Sequence, residues 1–182
     1  MKALILTGKY AQDIEVFYPL YRMQEEGWEI DIAVQGNQPV AGVYGMKITN
    51  TVDMPVSIQS QWKVLILPGG ARAMEYLRQD ESILEAIRWF SKWGGTIGSI
   101  CHGTQLLISA RAVRGKKVSG YYSIKDDIVN AGGEFVDAPF VTDGKLVCSP
   151  HYKYLGSWMK EVIRVANINQ HRGVGEGDIG VE

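Results

Sequence analysis

The sequence predicts an α/β sandwich built on a mostly parallel sheet. Short apolar runs of strand length alternate with stretches at helical spacing, the pattern of consecutive β–α units. No internal repeat and no interdomain linker interrupts the 182 residues, a length that fits one domain. With 46% hydrophobic and 21% charged residues, the chain is too apolar for disorder and too charged for a membrane protein.

The elements follow in order. Residues 3–7 read as a buried first strand. Residues 14–26 have helical spacing, with Val16, Leu20 and Met23 on one side, and Pro19 is placed in the first turn, where its missing N–H costs little. Strands follow at 29–34 and 64–67. Asp80 reads as the N-cap of a helix over 81–93 that Gly94-Gly95 closes. A strand over 96–100 runs straight into a helix over 104–110. A helix over 124–130, a hairpin around Asp143-Gly144 and a last helix over 154–167 complete the domain, taken as 1–168. Residues 169–182 read as a loose tail or an arm onto a neighbouring subunit, glycine-rich and poor in apolar residues.

Several function classes drop out. The 19 basic and 20 acidic residues leave a net charge of -1, so no basic excess is available to neutralise nucleic-acid phosphates. No apolar run approaches the ~20 residues of a membrane span. The first apolar stretch meets Gly8 and Lys9 too soon for a signal segment, and a cytoplasmic protein is expected. Two cysteines exclude a disulfide framework and a cysteine-rich zinc site, and the three histidines are scattered. Neither a glycine-rich dinucleotide fingerprint after the first strand nor a P-loop is present. No cofactor and no metal are expected.

Three segments carry chemistry. In Gly98-Ser99-Ile100-Cys101-His102-Gly103, small residues flank a cysteine between a strand and a helix. That spacing permits a sharp turn that lifts the sulfur out of the sheet, above a helix N-terminus that favours the thiolate. On spacing alone, a reactive elbow and a small buried core residue stay equally open. Cys148, within Leu146-Val147-Cys148, has no elbow and reads as core. The strand Leu65-Ile66-Leu67 ends in Pro68-Gly69-Gly70, whose backbone N–H groups are available to an oxyanion, although an ordinary turn is the simpler reading. Asp13-Ile14-Glu15 falls at the same edge of the sheet; its acids either favour the start of the next helix or reach the sulfur.

The run from Ile100 through Cys101-His102-Gly103-Thr104-Gln105 to Ala110 resembles the signature of the PfpI-type proteins of the ThiJ/PfpI superfamily. Asp13-Ile14-Glu15, Tyr18-Pro19-Leu20-Tyr21, Leu67-Pro68-Gly69-Gly70, the segment from Asp126 to Gly132 and Trp158-Met159 support it, and the likeness extends from Met1 to about Val165. The resemblance implies a flavodoxin-like three-layer sandwich, akin to class I glutamine amidotransferases. It implies that Cys101 is the nucleophile and His102 its partner, and that Glu15 is a protonated acid bonded to the sulfur. Glu75 matches an acid presented to the histidine from a neighbouring subunit of a homo-oligomer, a dimer or a dimer-based hexamer. Gly70, with Gly69 before it, and the backbone of His102 match the oxyanion site, and Tyr121 a pocket tyrosine; His151 falls in the adjoining loop and is grouped with the substrate-binding residues. The implied function is a cysteine-dependent hydrolase or lyase acting on small carbonyl, acyl or peptide substrates: a glyoxalase, a deglycase or a peptidase. The alternative is a redox-sensing or protective protein that uses an oxidisable Cys101. An amidotransferase role is set aside, because His151 is followed by Tyr152 and Lys153 rather than by the x-Glu of a His-x-Glu pair. Two departures stand out: Gln12 replaces a glutamate, and the loop Ser149-Pro150-His151-Tyr152-Lys153-Tyr154 replaces a Ser-Arg-x-Pro-x-Asp segment.

Overall fold

A computed structural model of the protein describes residues 1–49, 51–54 and 61–173. The central sheet contains β1 (Lys2–Leu6), β2 (Glu29–Gln35), β5 (Thr51–Met54), β6 (Trp62–Leu67), β7 (Thr96–Ile100), β10 (Val141–Asp143) and β11 (Leu146–Ser149). Two short pairs stand apart, β3 (Val40–Ala41) with β4 (Lys47–Ile48), and β8 (Lys117–Val118) with β9 (Glu134–Phe135). The sheet runs β10-β11-β7-β6-β1-β2-β5, parallel throughout except for the β10–β11 hairpin at one edge. Its five inner strands have the flavodoxin-like order, in which the chain reverses direction beside β1 and opens a crevice at the carboxyl ends of the strands.

Side-chain alternation along β7 separates the two outer layers. A Cβ on Gly98 would meet Val162 and Trp158 of α6 (Leu155–Gly173). The neighbouring Ile97 lies with Ser91 of α3 (Glu81–Trp93) and Leu107 of α4 (Thr104–Ser109). The helix α1 (Asp13–Glu25) packs beside α6, and α2 (Ala71–Leu77) beside α4. Leu4, Ile5, Leu6, Leu65, Ile66 and Leu67 are fully buried, as strands covered on both faces require. Trp158 is equally buried, and its indole N–H donates to the Val147 carbonyl at 3.1 Å, so the large ring enters the core without an orphaned donor.

The Asp80 cap forms as expected, accepting the Ser82 N–H at 3.0 Å, and α3 stops at a left-handed Gly94. The remaining helix, α5 (Lys125–Asn130), starts one residue later than expected. Two expectations need correction. Pro19 lies inside α1 rather than in its first turn, because the helix already starts at Asp13; the proline ring is buried there, and that packing offsets the lost hydrogen bond. The last helix passes residue 167 and continues to Gly173, into the segment read as a tail, while 174–182 lie outside the described residues.

Gly103 fixes the distance between α4 and β6. A Cβ there would overlap the Leu67 carbonyl oxygen and stand 2.8 Å from that of Pro68, both of them backbone atoms that cannot step aside. Gly103→Ala is therefore expected to destabilise the fold by about 3 kcal/mol, at the upper end of overpacking effects. Urea unfolding checks this through a lower midpoint at unchanged slope.

Candidate active site

Parallel pairing sets up the site. β6 and β7 pair with Leu67 opposite Ser99, so Pro68-Gly69-Gly70 and Cys101 leave the sheet side by side. β1 lies on the other side of β6, and the helix that follows it delivers Glu15 to the same edge. Cys101 has φ +57°, a left-handed conformation for a residue with a Cβ, which costs roughly 1–2 kcal/mol. Strain of this kind at the end of a strand makes Cys101 a candidate for a nucleophile elbow. A single 3-10 turn, Cys101–Gly103, leads from the elbow into α4.

The Cys101 sulfur lies 3.4 Å from Nδ1 of the half-buried His102 and interacts with the backbone N–H groups of His102 and Gly70. Gly70 sits at φ +106°, where a Cβ would lie 2.6 Å from the Tyr10 carbonyl oxygen. Gly69 supports the arrangement through close approach. A Cβ at Gly69 would lie 2.6 Å from Glu15 Oε2, 2.8 Å from Cys101 Cβ and 2.9 Å from the His102 nitrogen. Its own N–H donates to Glu15 Oε2 at 2.7 Å. Glu15 has no exposed surface, and Oε1 lacks a partner of good geometry; the Cys101 thiol is the polar side chain that interacts with this carboxyl. Burial, only partly opposed by the Gly69 amide and the thiol, raises the Glu15 pKa to about 7.

The helix N-terminus beneath the elbow favours a depressed thiol. Burial reverses that sign. Cys101 is 7% exposed, and burial first, then the charge of an ionised Glu15, push the thiol upward against the pull of the His102 and Gly70 amides. The two groups titrate together, and an ionised Glu15 opposes ionisation of the thiol. Burial also lowers the pKa of His102, favouring its neutral form.

A row of rings leads away from this centre. Tyr121 stacks on His102 at 4.5 Å, His151 follows at 6.1 Å from Tyr121, and Tyr152 at 4.0 Å from His151. Tyr121 and His151 thus join one wall with the Cys101–His102 pair. Glu75 does not join it. It is exposed on α2, and among the described residues no hydrogen bond or ion pair links it to His102. Arg78, its neighbour one turn on, reaches the Ser109 hydroxyl instead, at 3.0 Å. Asp13 serves structure: its carboxylate accepts the backbone N–H groups of Tyr44 and Met46 at 2.8 and 2.9 Å and pins the turn between β3 and β4. Two features had no signal in the sequence. One is Ser123, whose hydroxyl lies 3.5 Å from His102 Nε2; the other is the continuity of the ring row.

Cys148 is fully buried, with its sulfur 3.4 Å from the Ser99 hydroxyl, and burial pushes its thiol up to about 11. Mild peroxide followed by peptide mass mapping is expected to find oxidation at Cys101 ahead of Cys148, and the reverse order would overturn the assignment.

A strained cysteine elbow at the carboxyl edge of a flavodoxin-like sheet, with a histidine and a buried glutamate beside the sulfur, defines a class of cysteine-centred α/β proteins. The chain belongs to the DJ-1/PfpI family, whose profile matches residues 1–165. It is 39% identical to a deglycase of Pyrococcus horikoshii over 165 residues, 91% of this chain and 99% of that one. It is 34% identical to protein/nucleic acid deglycase 2 of Escherichia coli over 167 residues, 90% of this chain and 95% of that one. In fold it superposes on Drosophila melanogaster DJ-1beta with a TM-score of 0.84 at 22% identity, covering 97% of this chain and 96% of that one. Among the described residues no helix is long and apolar enough to cross a membrane.

Proposed function

We propose that the chain is a cytoplasmic enzyme that uses Cys101 as a nucleophile on small carbonyl or acyl compounds, in glyoxalase- or deglycase-type or peptidase-like turnover. The observation that carries this reading is the Cys101 elbow at φ +57°, with its sulfur 3.4 Å from His102 Nδ1 and faced by two backbone amides. Sulfur adds to the carbonyl carbon and the C=O electron pair moves onto oxygen. The Gly70 and His102 N–H groups, which face the sulfur, are the donors nearest that charge. With an aldehyde, His102 takes the thiol proton as sulfur adds and returns it to the oxyanion, completing a hemithioacetal. With an amide, the C–N bond breaks, the leaving nitrogen takes the proton, and water hydrolyses the remaining thioester. The names of the two deglycase relatives support carbonyl-adduct chemistry.

Parallel turnover of methylglyoxal, a fluorogenic peptide amide and a glycated thiol tests the proposal. Cys101-dependent turnover of at least one supports it, whereas equal rates in wild type and Cys101→Ala for all three would leave oxidation of Cys101 as the better account.

The exposed Glu75, unconnected to His102 within its own chain, fits the acid of a homo-oligomer in which one subunit orients His102 of another. Mixing Cys101→Ala subunits with Glu75→Ala subunits is then expected to restore partial activity, because some interfaces hold one intact site. No recovery after verified exchange, with Glu75→Ala itself impaired, places the acid in the same chain.

A further inference from the structure

We propose that the cleft at the carboxyl ends of β1 and β2 is a second binding site, one that takes a small aromatic anion: a flat ring bearing a carboxylate or phosphate. The cleft has a volume of about 370 Å³, within the range of small-molecule sites. It is lined by the loop after β1, the end of β2 and one face of α2, and by neither Cys101 nor His102. The buried Val34, Ala73 and Leu77 and the half-buried Val40 give it an apolar floor. The rings of Tyr10 and Tyr76 and the Lys9 side chain complete its walls. Ala73, Tyr76 and Leu77 recur at helical spacing on one side of α2. At 3.6 residues per turn, Glu75 falls on the opposite side, which separates the cleft from the acid proposed for another subunit.

Charge at the rim selects an anion. The Lys9 ammonium lies 4.8 Å and the Arg72 guanidinium 3.8 Å from the centre of the Tyr10 ring. Lys9 also hydrogen-bonds the Tyr10 hydroxyl; that bond, only partly opposed by desolvation and joined by the charges of Arg72 and Lys9, lowers the tyrosine pKa. Among the described residues neither cation has an ion pair with a carboxylate, whereas Lys2, Arg22, Arg88 and Arg164 each do. The Asp80 carboxylate, which the Gln35 amide reaches from the end of β2, is committed to the Ser82 N–H and hydroxyl. Two like charges held at one ring repel, and a bound anion offsets that repulsion. The backbone holds the ring in place at a cost: Tyr10 has φ +67°, a left-handed conformation. Its N–H donates to the Ala41 carbonyl at 2.9 Å, and the Gln12 N–H to the Gly69 carbonyl at 3.1 Å, so the strained loop is fixed on both sides. A flat ring of the ligand packs against the tyrosines over the apolar floor, with its acid toward Lys9 and Arg72.

Calorimetric titration of the full-length protein with indole-3-carboxylate and with phenyl phosphate tests the proposal. Saturable binding of at least one is expected, with a dissociation constant of about 1 mM or below, as suits so small a ligand; the tighter of the two names the anion. Indole lacks the charge and cyclohexanecarboxylate the flat ring, and each should bind at least about fivefold more weakly. Lys9, Arg72 and Tyr76 are exposed, so Lys9→Met, Arg72→Met and Tyr76→Ala are expected to fold like the wild type, which thermal unfolding checks. Each should weaken binding about three- to tenfold, whereas Lys92→Met on α3 should leave it unchanged. Wild type and Cys101→Ala should bind alike, so the result stands apart from the reaction proposed for Cys101. No saturable binding of either anion, indole binding as tightly as the anions, or constants unchanged in Lys9→Met and Arg72→Met would overturn the proposal. So would an equal loss in Lys92→Met, or weakening by Cys101→Ala, which would assign the ligand to the Cys101 site.

Discussion

Cys101→Ala is expected to lower turnover by ~10³-fold or more, with no compensation from Cys148, because no other side chain at the elbow can add to a carbonyl. Cys101→Ser tests the chemistry more sharply than the alanine variant. It keeps a nucleophilic atom at the same strained position, between the same amides, but its hydroxyl stays protonated where a thiol can ionise. A serine variant as slow as the alanine one says that ionisation at this site, not placement alone, carries the rate. Cys148→Ser is expected to retain turnover, since that sulfur lies fully buried on β11 beside Ser99. Rates of the three variants on one substrate decide the matter. Substantial turnover by Cys101→Ala would remove the residue from the mechanism.

Glu15 should leave its signature in stability rather than in rate alone. Its pKa is raised from 4.5 to about 7 by burial, so between those values the folded chain holds a proton that the unfolded chain has released. The contribution of Glu15 to stability then falls as pH rises through that window, by about 3 kcal/mol in total. Glu15→Gln abolishes that contribution, because an amide keeps the shape without titrating. Urea unfolding of both proteins between pH 4.5 and 8 checks this, and parallel curves would sink it. The same variants report on the sulfur. Gln retains a donor and Leu does not, so thiolate absorbance should appear at higher pH in Glu15→Leu than in Glu15→Gln.

These two residues also show where sequence reading ends. The order of elements follows from local periodicity, so the parallel sheet, the Asp80 cap and the elbow were all legible. The two-residue strands β3 and β4 were not, because so short a stretch has no period to read. The enclosure of Cys101 is not legible for a related reason. A helix N-terminus is a local feature, whereas the burial that overrides it comes from β6, α1 and the Gly69 turn, remote in sequence. Glu15 and Asp13 are near-identical candidates on paper. What separates them is that Asp13 finds two backbone amides near residue 45, while Glu15 is carried under Gly69. Ser123 reaches His102 only through a turn anchored on the Cys101 carbonyl, and nothing in its neighbours announces that.

The strand order also makes the surroundings of the thiol a long-range property of the chain. β1 has β2 on one side and β6 on the other, and β6 must in turn receive β7. Each parallel pairing waits for a crossover to close a long loop, which slows such topologies relative to helical bundles. The groups around Cys101 come from residues 15, 69–70, 102 and 121–123, spread over most of these crossovers. A nascent or partly folded chain thus presents an ordinary, solvent-facing cysteine. The strained, enclosed surroundings of Cys101 exist only where the carboxyl edge of the sheet is assembled.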